Sequence, residues 1–259
     1  MDLRIAPLAG PLYHGPTQIA RVLSEAWFAR EGYCIGCLRR PVGQLAPNTV
    51  VADFRCGGCG EAFQLKARSA PFGSVVPDGA YSTFYQAVVN GSAPNLLLMH
   101  YDRERMEVVD LTAIHRKLVS PLSIVRRRPL GPNARRAGWV GCNLDLRSLP
   151  PGAMIPVVRS GAPRDEAGVR RQWLAYSSLE EREREPGWLR DTLTCIQQTG
   201  KAEFHLEDIY TYEADLSRLH PSNRNIRPKI RQQLQVLCRA GLVSRVRPGT
   251  YRRILERVR

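Results

Sequence analysis

VADFRCGGCGEAFQLKARS, residues 51–69, decides how the rest of the chain is read. Two chemistries overlap in it. Cys56 and Cys59 form half of a metal knuckle. Asp53, Gln64 and Lys66 carry the acid–polar–lysine rhythm of a metal-dependent phosphodiester site. The knuckle has a counterpart upstream, because Cys34-x2-Cys37 is separated from Cys56-x2-Cys59 by 18 residues. Each pair can place two thiolates on one ion from a tight turn, and two pairs close a tetrahedron with no open position, the pattern of structural zinc. Paired CxxC at ribbon spacing favours metal over disulfides. Cys142, Cys195 and Cys238 stand in apolar surroundings and read as core residues.

The second chemistry follows from strand periodicity. AFQLKAR (62–68) has the alternation of a short strand, so Gln64 and Lys66 face one side. With Asp53 on a neighbouring strand, TVVADFRC (49–56), they offer oxygen ligands and an amine at one point. Magnesium prefers such oxygens and keeps several waters, and phosphodiester hydrolysis needs a metal to neutralise developing charge and activate water. The expected magnesium ligands are Asp53, Gln64 and the backbone carbonyl of Leu65, with Lys66 beside the attacking water. Glu25 is read either as a further acid near this site or as a solvent-facing residue. The arrangement resembles the PD-(D/E)xK nuclease centre, with two departures: Val51-Ala52-Asp53 lacks the proline, and Gln64 replaces the acid. A carboxamide keeps an oxygen ligand but removes one negative charge.

The 259 residues are 43% hydrophobic, enough for a core, but 38 Lys+Arg against 24 Asp+Glu give a net charge of +14. That surplus favours polyanions, nucleic acid first. No apolar run reaches the ~20 residues that span a bilayer, and MDLRIAPLAGPLYHGP (1–16) lacks the apolar stretch of a signal peptide, so the expectation is a cytoplasmic protein. TQIARVLSEAWFAREGY (17–33) is helical by pattern. DGAYSTFYQAVVNG (78–91) reads as a loop running into a helix. NLLLMHYD (95–102), MEVVDLTAI (106–114) and AMIPVVR (153–159) read as strands, and a helical pattern returns at 164–173. Interleaved helices and strands indicate an α/β domain.

SSLEEREREPG (177–187) reads as a linker, which divides the chain into domains 1–183 and 184–259. The second has three helical segments, WLRDTLTCIQQTG (188–200), FHLEDIYTYEADLSRL (204–219) and NIRPKIRQQLQVLCRAG (225–241). A hairpin, LVSRVRPGTYRRI (242–254), follows with Pro-Gly at its tip. Three helices and a hairpin make a winged helix. From Arg218 onward stand 12 Lys+Arg and one acid, Glu256, whereas 203–215 carries five acids. The basic charge falls on the third helix and wing, the parts that meet DNA in helix-turn-helix proteins.

AREGYCIGC, VADFRCGGCGEAFQLKA, DGAYSTF, RRRPLGPNARRAGWVGCNLDL and IRPKIRQQLQVL, in this order from about residue 17 to the end, resemble the DpnI-type methyl-directed restriction endonucleases. The resemblance implies an α/β restriction-endonuclease-like (PD-(D/E)xK) domain with a zinc knuckle, followed by a winged-helix domain, both reading the methylated site. It also implies cleavage of double-stranded GATC whose adenine carries an N6-methyl group. Asp53, Lys66 and the four knuckle cysteines match the family pattern; Gln64 is the departure.

Under that resemblance Arg126, Arg127, Arg128, Arg135 and Arg136 hold phosphates or read guanine edges. Trp139 either lies against the adenine methyl or is a core aromatic. Arg224, Asn225, Arg227, Lys229 and Arg231 open the third helix, where base-edge contacts occur, although Asn225 is equally placed to cap it. Arg245, Arg247, Arg252 and Arg253 on the wing are expected to contact phosphate. The expected cofactors are catalytic Mg2+ and structural Zn2+, with no small-molecule cofactor. The expected partner is methylated double-stranded DNA, bound by a monomer, with no membrane. Two other readings stand beside the nuclease. One is a methyl-DNA reader whose metal site Gln64 has weakened. The other is a zinc-ribbon and winged-helix transcription regulator.

Overall fold

The computed structural model describes residues 1–6, 15–46, 49, 51–150, 152–181 and 187–254. In chain order, α1 (Pro16–Glu31) precedes short strands β1 (Gly43–Gln44) and β2 (Phe54–Arg55), then β3 (Ala62–Arg68). β4 (Val75–Ala80) runs directly into α2 (Tyr81–Val89), followed by β5 (Asn95–Asp102), β6 (Glu107–Ile114), β7 (Ile124–Arg126), β8 (Gly141–Asp145), β9 (Met154–Arg159), β10 (Ala162–Pro163) and α3 (Glu166–Glu181). The C-terminal elements are α4 (Trp188–Gln198), β11 (Glu203–His205), α5 (Leu206–Tyr210), α6 (Glu213–Leu219), α7 (Ile226–Arg239), β12 (Val243–Arg247) and β13 (Thr250–Arg253). No described helix is long and apolar enough to cross a membrane.

The chain forms two compact units that are not contiguous in sequence. The first comprises Met1–Gly73, Ala93–Arg116 and Met154–Ser177; the second comprises Ser74–Ser92, Lys117–Ala153 and Ser178–Arg259. The first unit is built on a mixed seven-stranded sheet in the order β1-β2-β3-β5-β6-β9-β10. β3 and β5 are parallel and every other neighbouring pair is antiparallel. β5 is central and buried from Asn95 through Met99, so its LLLM run is covered on both faces. β3 alternates instead, with Phe63 and Leu65 buried and Gln64 and Lys66 half-buried on the opposite face. α1 packs on β3, and the buried Phe28 meets Phe54 edge-on at 4.8 Å.

The expected strand 49–56 is reduced to β2, and Val50 lies outside the described residues. Val51 takes φ 58°, a left-handed turn that a β-branched residue rarely adopts and that ends the extended run. DGA is the end of β4 rather than a loop. The expected linker departs as well: 177–181 continue α3, and 182–186 lie outside the described residues.

In the second unit β4, β8 and β7 form one antiparallel sheet, and the C-terminal stretch forms the winged helix. Its core joins Trp188, Leu193 and Ile196 of α4 with Ile209, Leu216, and Ile230, Leu234 and Leu237 of α7. The expected helix 204–219 is three elements. β11 pairs with β13, burying Phe204 completely, and turns into α5 through a capping box in which His205 donates its N–H to Asp208 Oδ2 at 2.8 Å. The helix then breaks at Thr211–Tyr212 before α6. Gly249, at φ 74°, makes the wing turn that only glycine adopts without strain.

Asp191, 1% exposed in the first turn of α4, ties this unit together. Its Oδ1 accepts from Ser120 Oγ at 2.7 Å and Arg190 Nε at 2.8 Å, and its Oδ2 lies 2.9 Å from His220 Nε2. His220 stacks on Trp188 with ring centres 4.0 Å apart. Burial pushes the carboxyl pKa up, but Arg190, His220 and Ser120 reverse this and leave it below its ordinary value. Asp191→Ala is expected to cost about 3–5 kcal/mol in denaturant unfolding at pH 7, because it strands a buried cation. A folded pKa below the unfolded one means that the stabilisation is complete above pH ~4 and is lost as pH falls further. The variant should therefore lose the part of the wild-type acid limb that this carboxylate supplies.

Candidate metal centre and nucleic-acid interface

The two CxxC turns are built alike. Leu38 N–H donates to Cys34 O at 2.7 Å and Gly60 N–H to Cys56 O at 3.0 Å; Cys34 N–H donates to Arg39 O and Cys56 N–H to Glu61 O. The residue after each second cysteine is left-handed, Leu38 at φ 61° and Gly60 at φ 78°. Leucine there carries roughly 1–2 kcal/mol of strain that glycine avoids. The four sulfurs lie within 4.8 Å of one another, with Cys34 and Cys59 3.4 Å apart and Cys37 and Cys56 3.5 Å apart. Tetrahedral bonds of ~2.3 Å put sulfurs about 3.8 Å apart, so the cluster fits one ion such as zinc. Burial raises the Cys34 thiol. Cys56 is also opposed by burial, but N–H donors from Cys59 and Gly58 bring it down to about 7, towards the thiolate a metal needs. Among the described residues no other group of three or more His, Cys, Asp or Glu side chains gathers this way.

Asp53 sits one residue before β2. Phe54 pairs with Phe63, so Asp53, one residue earlier, comes beside residues 63–65 of β3. Asp53 N–H donates to Phe63 O at 2.9 Å, and Asp53 Oδ2 accepts Leu65 N–H at 2.8 Å. In an extended strand a residue's N–H and C=O leave on the same side, so the Leu65 carbonyl also points to the Asp53 edge. Lys66 is near enough for its charge to stabilise the Asp53 carboxylate. The left-handed Val51 two residues away is the kind of backbone strain that gathers at functional sites.

Glu25 belongs to this cluster and does not face solvent: it is 9% exposed, with Oε1 accepting from Arg21 Nε at 2.5 Å and Oε2 from Gln44 Nε2 at 3.0 Å. Burial raises the Asp53 pKa, and the neighbouring Glu25 charge adds to the rise against the pull of the Leu65 amide, Arg21 and Lys66. Arg21 and Gln44 were not among the expected site residues. The signal for Arg21 is its i,i+4 spacing to Glu25 on α1; Gln44 has none, since only the fold brings β1 beside α1.

The expected DNA contacts all fall in the second compact unit, and the expected metal ligands and Lys66 all fall in the first. Arg126, Arg127, Arg128, Arg135 and Arg136 are exposed. Trp139 is half-buried rather than core. The Arg136 guanidinium lies 5.2 Å from its ring centre, and Gly141 passes so close beneath that a Cβ there would stand 2.8 Å from the indole. On α7, Arg227 donates to Glu213 at 2.8 Å, Arg231 donates to Tyr210 Oη at 2.7 Å, and Lys229 lies 5.8 Å from the Trp188 ring centre. Arg224 and Arg245 are exposed. Asn225 stands at the N-cap position of α7 without a side-chain cap bond. On the wing, β11 places Glu203 opposite Arg252, which donates to it at 3.0 Å, and Arg253 Nη1 turns back to Gln197 Oε1 at 2.6 Å. Both arginines therefore have partners within the unit, which the expectation of phosphate contacts did not include. Cys142 and Cys195 are fully buried and Cys238 is partly buried.

A mixed sheet carrying a four-cysteine site, together with a basic helix-turn-helix unit, defines a metal-capable DNA-binding protein. Comparison with protein families makes this specific. Residues 1–182 match the family described as DpnI, Dam-replacing family, and residues 184–253 match its Dam-replacing HTH domain. The chain belongs to the Dam-replacing family. Membership points to methyl-dependent DNA targeting and implies a nuclease.

Proposed function

We propose that this protein is a magnesium-dependent, methyl-directed type II restriction endonuclease that cuts both strands of double-stranded DNA at GATC sites carrying N6-methyladenine. In this reading residues 1–183 are a PD-(D/E)xK nuclease domain with structural zinc on Cys34, Cys37, Cys56 and Cys59. Residues 184–259 are a winged-helix reader, and the protein acts as a cytoplasmic monomer. The observation that carries the reading is the bond from the Leu65 amide to Asp53 Oδ2, with the Lys66 charge within reach of the same carboxylate, in a Dam-replacing family member.

Asp53, Gln64 and the Leu65 carbonyl form a hard-oxygen donor set that fits magnesium. The bound ion would supply charge neutralisation at the phosphorane and a lowered water pKa. Asp53 is oriented by the Leu65 amide on Oδ2, and its carboxylate would hold the ion. Lys66, as an ammonium, would donate to the attacking water and stabilise the hydroxide and phosphorane charge that develop beside it, and the proton of the water would leave to solvent. Gln64 holds an oxygen at the site with one charge less than an acid, and this favours the weakened-reader alternative. The exposed arginines of 126–136 grip phosphates, and Trp139, braced by Arg136 and Gly141, presents its remaining surface to the adenine methyl.

A buried methyl contributes about 0.8 kcal/mol, so two methyls, one per strand, are expected to tighten binding about tenfold. Fluorescence anisotropy in EDTA with methylated and unmethylated GATC duplexes measures this ratio. Equal affinities would support the transcription-regulator reading instead.

A further inference from the structure

The edge of β3 holds a salt bridge with a consequence for metal entry. Arg21, half-exposed on α1, spans two carboxylates: its Nε donates to Glu25 Oε1 at 2.5 Å, and its Nη2 lies 3.6 Å from Asp53 Oδ1. Asp53 Oδ2 already accepts the Leu65 amide, so Oδ1 is the more available oxygen for a metal, and Oδ1 is the atom that Arg21 faces. The local charges are also balanced. Asp53 and Glu25 are matched by Arg21 and the nearby Lys66, and Gln64 adds nothing. A site with no net charge attracts a divalent cation poorly, whereas removing one guanidinium leaves a net negative site.

We propose that Arg21 is the resident cation of this site: it must give up Asp53 Oδ1 before a divalent metal binds there, and a DNA phosphate is what draws it away. The inference rests on the reading of Asp53 as a metal ligand. Arg21 suits the exchange. Its side chain is 49% exposed, so the guanidinium can leave Asp53 without unpacking a core. A guanidinium pairs bidentately with phosphate, which replaces both its single bond to Glu25 and its looser approach to Asp53 at 3.6 Å. DNA and metal then bind with positive coupling, each favouring the state in which Arg21 has moved. Glu25, released from its counter-cation, restores at the site the charge that Gln64 lacks.

The test is Mn2+ binding to the full, zinc-loaded chain without DNA, followed by electron paramagnetic resonance. Arg21→Gln should bind Mn2+ on the order of tenfold more tightly than wild type. Arg21→Lys, which keeps the charge, should stay near wild type. Unchanged or weaker binding by Arg21→Gln, in a protein whose melting temperature matches wild type, would overturn the proposal. Asp53→Asn separates the two claims. Loss of Mn2+ binding by Asp53→Asn alongside no gain for Arg21→Gln rejects only the Arg21 exchange. Unchanged binding by Asp53→Asn rejects the metal reading of Asp53, and the exchange with it.

Discussion

Lys66→Ala is expected to lower the cleavage rate on methylated DNA by about 10²–10³-fold, the usual worth of one preorganised charged donor at the transition state, while leaving affinity unchanged. The rate should fall because Lys66 shares the half-buried face of β3 with Gln64 and lies within electrostatic reach of Asp53. Affinity should hold because Arg126 to Arg136, Trp139 and the α7 residues all belong to the other compact unit. Single-turnover cleavage with the variant, paired with anisotropy in EDTA, separates the two quantities. A variant that cuts at the wild-type rate removes Lys66 from the site. A variant that loses binding as well makes Lys66 a DNA contact.

Cys34→Ser is the second large effect. Cys34 is fully buried where α1 hands over to the first knuckle, and its sulfur lies 3.4 Å from that of Cys59. The first knuckle begins three residues after α1, the helix of Arg21 and Glu25, and the second closes the β2–β3 hairpin that Asp53 leads into. Structural zinc in small peptide domains contributes about 10–16 kcal/mol at neutral pH, so losing one of four thiolates should remove much of that from the first unit. The expected outcome is loss of one equivalent of zinc per chain, a melting transition lower by roughly 10 °C or more, and loss of cleavage. Zinc content by atomic absorption and a thermal melt check it. A folded, zinc-free variant that cuts normally would show that the four cysteines have no structural role.

Much of the fold was legible because it follows local rules. β3, β5, β6 and β9 appear where apolar alternation or a continuous apolar run places them, and α7 begins with Pro228 in its first turn and ends before Gly241. β11 was illegible because Phe204 fits a helical apolar pattern as well as a strand, and only its pairing with β13 decides. The grouping of 74–92 and 117–153 with the C-terminal elements was illegible for a related reason: of β4, α2, β7 and β8 periodicity shows only the helix α2, and it does not show which core that helix joins. At the candidate site, the rhythm of Asp53, Gln64 and Lys66 was visible in sequence. Sequence spacing does not choose between site and solvent for Glu25, and its burial against Arg21 and Gln44 brings it to the site.

We propose that this Dam-replacing family member cuts methylated DNA with magnesium despite Gln64. The direct measurement is digestion of one plasmid in two preparations, GATC-methylated and unmethylated, with purified protein and magnesium, beside an EDTA control. Discrete fragments from the methylated preparation alone, absent with EDTA, are the predicted result. Intact methylated plasmid under conditions in which the protein binds it would contradict the account and leave a reader rather than a nuclease.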